Sequence, residues 1–150
     1  MRAVHRGVRD DAVEPHRDPT GDVIVTGKAG WFDVRVVQKP WGHETIWAVT
    51  EEYVGKVLHV KAGHALSLQY HNQKDETLHL LRGEMIYRVQ EGDALVDLPF
   101  KVGQSYRNTP GTVHQMEAVT DCDILEASTP HLDDVVRLTD RYGREGTSKP

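Results

Sequence analysis

Gly63-His-Ala-Leu-Ser-Leu-Gln69-Tyr-His71-Asn-Gln-Lys-Asp-Glu76-Thr-Leu-His-Leu-Leu-Arg-Gly83 is the stretch whose reading decides the fold. Its spacing is G-x5-Q-x-H-x4-E-x6-G. Gln69 and His71 stand two apart in a β-rich segment, so both side chains leave one face of a strand. A polar turn over Asn72 to Asp75 reverses the chain, and Glu76 opens an apolar run in which Glu76, Leu78 and Leu80 share a face. Two adjacent strands thereby offer an amide oxygen, an imidazole and a carboxylate to one point. Such a mixed oxygen and nitrogen set suits a divalent first-row metal rather than a closed thiolate zinc site.

A fourth donor from a distant strand would complete the set. Gly103-Gln-Ser-Tyr-Arg-Asn-Thr109-Pro-Gly111-Thr-Val-His114 reads G-x5-T-x-G-x2-H and delivers a single histidine at the start of a strand, His114 to Ala118. Around these two blocks the chain is a succession of short β-rich segments: Trp31 to Val37, Glu44 to Val49, Tyr53 to Lys61, Ala65 to His71, Glu76 to Arg82, Glu84 to Gln90, Ala94 to Leu98 and Asp123 to Ser128. Most are separated by Gly or polar residues, with Lys39-Pro40-Trp41-Gly42 as a turn. Many short strands with no helical interruption predict an all-β sandwich or barrel. Near the end, Leu132, Val135 and Val136 recur at helical spacing behind Asp133 and Asp134, which predicts a short C-terminal helix.

At 150 residues the chain suits one domain with a modest core. A 38% hydrophobic and 27% charged composition with net charge −5 fits a soluble fold and gives no electrostatic reason to bind nucleic acid or an anionic membrane. The single cysteine, Cys122, excludes an intrachain disulfide and is expected to be a small core residue. No apolar run approaches a membrane span, and the first residues lack the apolar core of a secretory signal, so a cytoplasmic location is expected. Residues 1–30 are polar and broken by Pro and Gly, with only Val23-Ile24-Val25 strand-like; they read as a flexible arm. The plain reading of His5 and His16 there is solvation. Residues 31–145 form the barrel domain and 146–150 a tail.

The two glycine-framed blocks resemble the paired motifs of the cupin superfamily, whose fold is a double-stranded β-helix, or jelly-roll barrel. Mapped onto that pattern, the implied metal ligands are Gln69, His71, Glu76 and His114. Gln69 stands where many cupins have histidine, and Thr109 where the second motif usually has proline. Lys39-Pro40-Trp41-Gly42, Leu66-Ser67-Leu68-Gln69-Tyr70-His71 and Val136-Arg137-Leu138-Thr139-Asp140-Arg141-Tyr142-Gly143-Arg144 occur in this order. Together they look like the C-terminal cupin domain of type II mannose-6-phosphate isomerases, a domain that often forms half of a bifunctional isomerase/guanylyltransferase. The likeness spans about residues 37 to 145. Gln73 and Thr77-Leu78 depart from it where the family often shows further His and aromatic residues.

That resemblance implies one divalent metal ion (Zn, Mn, Fe, Co or Ni), a sugar or sugar-phosphate substrate and aldose–ketose isomerisation through an enediol. It leaves a homodimer open, with Val23-Ile24-Val25 as a strand that could pair with a partner. Ser67 falls on the ligand face as a substrate-binding residue. Arg137 and Arg144 are candidates to bind phosphate or stabilise an enediolate. The base is expected at His64 or Lys56, since alternation turns His79 away from the Glu76 face. Two other readings stay open: an iron-dependent cupin oxygenase, and a non-catalytic sugar- or metabolite-binding cupin. Trp41 is expected to plug the barrel rather than stack on a sugar.

Overall fold

A computed structural model describes residues 29–147. Twelve strands follow in chain order: β1 Arg35–Lys39, β2 Gly42–Val49, β3 Val54–Val60, β4 Leu68–Tyr70, β5 Glu76–Arg82, β6 Met85–Glu91, β7 Ala94–Phe100, β8 Ser105–Asn108, β9 His114–Ala118, β10 Cys122–Ser128, β11 Val136–Thr139 and β12 Gly146–Thr147. They form two six-stranded sheets, β1-β2-β3-β10-β5-β8 and β12-β11-β4-β9-β6-β7, with antiparallel pairing throughout. This is the expected all-β jelly roll. From β3 to β6 and again from β7 to β11 successive strands alternate between the sheets, so the first ligand block (β4, β5) spans both and the second (β8, β9) returns to both.

Alternation along the strands explains why the chain closes this way. In β5 the residues Glu76, Leu78 and Leu80 are buried while Thr77 and His79 are less so. In β10 Cys122, Ile124, Glu126 and Ser128 are buried on the same two-residue period. Leu58, Val60, Leu78, Leu80, Met85, Tyr87, Val89, Met116, Cys122 and Ile124 fill the space between the sheets. Each fully buried aliphatic side chain contributes about 1.5–3 kcal/mol relative to exposure. Cys122 is the expected core residue, free and buried. Trp41 packs in this core, as expected of a plug, and its indole also lines the barrel's cavity. Gly83, the last residue of the first block, turns with φ 99°, and a Cβ there would meet the Asp121 carbonyl oxygen at 2.3 Å. Only glycine fits that turn.

The short helix expected from Leu132 is not there. Leu132 and Asp133 form a turn, and Val136–Thr139 is strand β11, pairing Val136 with Tyr70 and Arg137 with Gln69. Three apolar residues at helical spacing cannot repay helix nucleation, whereas strand pairing and a tight tie from Asp134 hold this segment extended. β12 adds to the same edge, Gly146 opposite Arg137, so the sheet runs past residue 145. The first predicted strand begins later than expected, at Arg35, with Trp31 fully exposed. Val23-Ile24-Val25 and nearly all of the arm lie outside the described residues.

Candidate metal centre

The residue just after β4 and the first residues of β5 and β9 bring one imidazole, one carboxylate and a second imidazole together inside the barrel. The ligating atoms of His71, Glu76 and His114 all lie within 4.8 Å of one another, and all three residues are buried. Glu76 Oε1 is 3.4 Å from His71 Nε2 and 3.0 Å from His114 Nε2. The other nitrogen of each ring is occupied: His71 Nδ1 lies 2.5 Å from the Asp134 carbonyl oxygen and His114 Nδ1 2.9 Å from that of Thr112. A carbonyl can only accept, so both Nδ1 atoms carry hydrogen and, in the neutral rings, both Nε2 atoms carry lone pairs. Those two Nε2 atoms are buried without a hydrogen-bond donor among the described residues. Two lone pairs and a carboxylate oxygen facing one point repel each other unless a cation lies between them. The donor set therefore fits a divalent metal with nitrogen and oxygen ligands.

Gln69 is the fourth expected ligand. Its Cα pairs with that of His114 across β4 and β9, and its side chain lines the same cavity. Its Oε1 accepts a hydrogen bond of 2.6 Å from the Ser67 hydroxyl. Ser67 is buried and also lines the cavity.

Around Glu76 the sequence reading missed a network of buried charge. Lys74 is buried, its ammonium 2.6 Å from Glu76 Oε2 and 2.6 Å from Glu126 Oε1. Asn108 Nδ2 donates to Glu76 Oε1 at 3.0 Å, and the Asn108 oxygen accepts from the Tyr87 hydroxyl. Burial pushes the Glu76 carboxyl up, but the Lys74 ammonium beside it holds it well below the usual carboxylate range. Lys74, though opposed by burial, is raised by Glu126 and Glu76 together, so it stays an ammonium. Lys56 Nζ sits 3.3 Å from Glu44 Oε2, with Lys39 3.7 Å from the other Glu44 oxygen. Burial raises Glu44 while Lys56 and Lys39 lower it, with a net lowering. Alternation along β10 would have found Glu126, two residues from buried Ile124. Lys74 gave no such signal, because it belongs to a turn that reads as solvent-exposed.

These groups wall a cavity of about 210 Å³ lined by Ser67, Gln69, His71, Glu76, Lys74, Glu126, Glu44 and Lys56, with Leu132, Asp133, Val135, Arg137 and Arg144 among the rest. Arg137, beside Gln69 on β11, has its Nε buried without a hydrogen-bond partner. Burial and the like charge of Arg144 pull its pKa down. Arg144 lines the cavity while its guanidinium forks onto Asp140, Nε to Oδ2 at 2.9 Å and Nη2 to Oδ1 at 2.7 Å. Of the two expected bases, Lys56 lines the cavity and His64 does not. His64 packs instead against the C-terminal segment, its Nδ1 2.7 Å from the Tyr142 hydroxyl. His79 faces outward as alternation requires, 2.8 Å from Ser105 Oγ.

Fold and site together define a cupin with a buried His-Glu-His centre. The family described as "Mannose-6-phosphate isomerase C-terminal" matches residues 28–140, and the chain belongs to it. Among curated proteins it is 30% identical over 152 residues to the xanthan biosynthesis protein XanB of Xanthomonas campestris pv. campestris, covering 90% of this chain. The chain spans only 31% of XanB's length. Solved structures of the same fold include oxalate decarboxylase from Bacillus subtilis (TM-score 0.63, 15% identity, 75% of this chain and 32% of that one). They also include KdgF from Halomonas sp. (TM-score 0.56, 17% identity, 66% and 88%). At these identities the structures speak for the fold alone.

Proposed function

We propose that this chain is a metal-dependent sugar-phosphate isomerase of the mannose-6-phosphate isomerase type, interconverting an aldose and a ketose. The observation that carries the reading is the pair of buried, donorless Nε2 atoms facing Glu76, with His71 and Glu76 lining a cavity that Arg137 also lines. Membership of the family supports it. A divalent cation held by His71, Glu76, His114 and Gln69 supplies a Lewis acid to a substrate oxygen.

The remaining work falls to side chains around the cavity. Arg137 offers a guanidinium whose Nε has no partner, which suits a phosphate oxygen. Glu126 is a buried carboxylate steadied by Lys74 and facing the cavity, so it takes the role of base in place of the expected His64 or Lys56. It accepts the proton from C2 of the aldose; the C2–H electrons form the C1=C2 bond and the carbonyl pair moves onto O1. The proton on O2 passes to O1, Glu126 returns its proton to C1, and O2 becomes the carbonyl. Lys56 and Ser67 stand on the cavity wall to hydrogen-bond sugar hydroxyls.

The test is isomerisation by the purified, metal-replete protein of hexose and pentose phosphates in deuterated water, followed by NMR. Deuterium entering at C1 or C2 with turnover supports the reading. Tight binding of sugar phosphates with neither turnover nor exchange would replace it with a non-catalytic binding module.

A further inference from the structure

The turn between the two ligands of the first block is held from a distance. The carboxylate of Asp134 accepts three consecutive backbone N–H groups, Asn72 to Oδ1 at 3.0 Å and Gln73 and Lys74 to Oδ2 at 2.5 and 2.8 Å. The Asn72 side-chain amide adds a fourth donor at 3.3 Å. The same residue's main-chain carbonyl accepts the His71 Nδ1 hydrogen. A neighbour on the same strap, Thr129, takes the Asp75 N–H on its hydroxyl at 3.1 Å and donates its own N–H to the Asp75 carbonyl at 2.9 Å. The turn thus fastened begins at His71, contains Lys74 and ends at Glu76.

We infer that Asp134 is the positioning residue of the metal centre, its side chain fixing the turn and its carbonyl fixing the His71 ring. Hydrogen bonds to a carboxylate are about twice as strong as neutral ones, and three in succession leave the 72–74 backbone one arrangement. That arrangement aims His71 and Glu76 together and brings the Lys74 ammonium against Glu76. The carbonyl selects the tautomer that leaves the His71 Nε2 lone pair on the metal side. Groups that orient ligands in this way change metal affinity about 10- to 100-fold when removed. No local pattern links residues 72–74 to residue 134; the strand pairings of β11 with β4 and of β10 with β5 bring them together.

The inference rests on reading the centre as metal-binding, and the experiment separates the two. Co²⁺ is titrated into wild type, Asp134→Asn, Asp134→Ala and Asp123→Asn, recording the dissociation constant, the visible Co²⁺ spectrum and the melting temperature. Asp123 pairs with Arg82 and His59 and does not line the cavity, so its variant reports loss of a polar anchor alone. The main-chain carbonyl survives in every variant. Asn keeps one acceptor but turns an NH₂ toward backbone donors. The Co²⁺ dissociation constant is therefore expected to rise in the order wild type, Asp134→Asn, Asp134→Ala, by about 10- to 100-fold at the end of the series. The spectrum should change with it, and Asp123→Asn should match wild type in both. Wild-type affinity and spectrum in the Asp134 variants, with only a lower melting temperature, overturn the inference. Should Asp134→Ala not fold, Asp134→Asn decides by the same two readouts. If wild type itself binds no Co²⁺, the metal-binding reading falls and the inference with it.

Discussion

The barrel interior has two ends built from the same strands. β5 passes from Glu76 to Leu78 and Leu80, β10 from Glu126 back to Ile124 and Cys122, and β3 from Lys56 to Leu58 and Val60. Each change of chemistry happens within two residues on one face. At one end, apolar side chains are interchangeable in kind and matter for volume. At the other, each buried charge is tied to named partners and matters for geometry. The fold tolerates that second end because its charges are paired: Lys74 lies between Glu76 and Glu126, Lys56 and Lys39 lie about Glu44, and the single surplus charges of the two groups are opposite in sign.

The sharpest way to break this comparison is to remove one member of the charged end. Lys74→Met leaves Glu76 and Glu126 buried without their counter-ion, which is expected to cost about 3–5 kcal/mol. Urea melts measure it. Replacing Lys74 by Met and Glu126 by Leu together should recover part of that loss, because Glu126 then leaves with its partner. No recovery in the double variant would mean that Lys74 acts by filling space.

At the apolar end, Leu80→Ala should cost about 2–5 kcal/mol, since Leu80 is fully buried. In a chain of this size that lowers the melting temperature by roughly 2–4 °C per kcal/mol. The contrast with the first prediction lies in the metal. Leu80→Ala should bind Co²⁺ as wild type does at temperatures where it is folded, whereas Lys74→Met should not. Equal loss of metal in both would erase the distinction between the ends.

How much of this was legible follows the same division. Period-two alternation in β5, β9 and β10 is local, and it located the barrel strands; the glycine-framed spacing located His71, Glu76 and His114. What escaped was set by contacts far apart in the chain. β8 carries little apolar alternation, only Tyr106 and Asn108 turning inward, and exists because it pairs with β5. The segment of β11 has helical spacing in the sequence, and its strand character comes from β4 and β12. Lys74 looked like a turn lysine because the carboxylate that draws it inward belongs partly to β10. His64 is near the ligands in sequence, yet Tyr142 holds it elsewhere.

Arg137 tests the cavity from the β11 side. Arg137→Ala removes a cation whose Nε lacks a partner, so it leaves no buried group of its own behind and should hardly change stability. Under the proposed function the KM for a sugar phosphate should rise by about 10- to 100-fold, the equivalent of one charge-assisted hydrogen bond of about 1.5–3 kcal/mol. An unchanged KM with reduced kcat would move Arg137 from the phosphate to the reacting oxygens.

The smallest expected effect concerns pH and the C-terminal segment. The hydrogen bonds of Arg144 outweigh burial and hold the Asp140 carboxyl below its usual pKa. A carboxylate whose pKa is lower in the folded than in the unfolded chain binds protons more readily when unfolded. Its contribution to stability is therefore complete above the unfolded value, about 3.9, and fades as pH falls from there through the lower folded value. Asp140→Asn removes this contribution at every pH, so its melting temperature should lie below wild type at pH 7 and converge on it as the pH drops below about 4. Other carboxylates titrate in the same range but are common to both proteins and cancel in the difference. Arg144→Lys keeps the charge but not the two-pronged geometry, so it should behave in the same direction with a smaller gap. A gap that stays constant down to acid pH would mean the Asp140 contact with Arg144 is not ionic in its effect. Asp140 would then act chiefly as the acceptor for the Tyr142 and Arg144 backbone N–H groups, which bond to its Oδ2 at 3.3 and 2.9 Å.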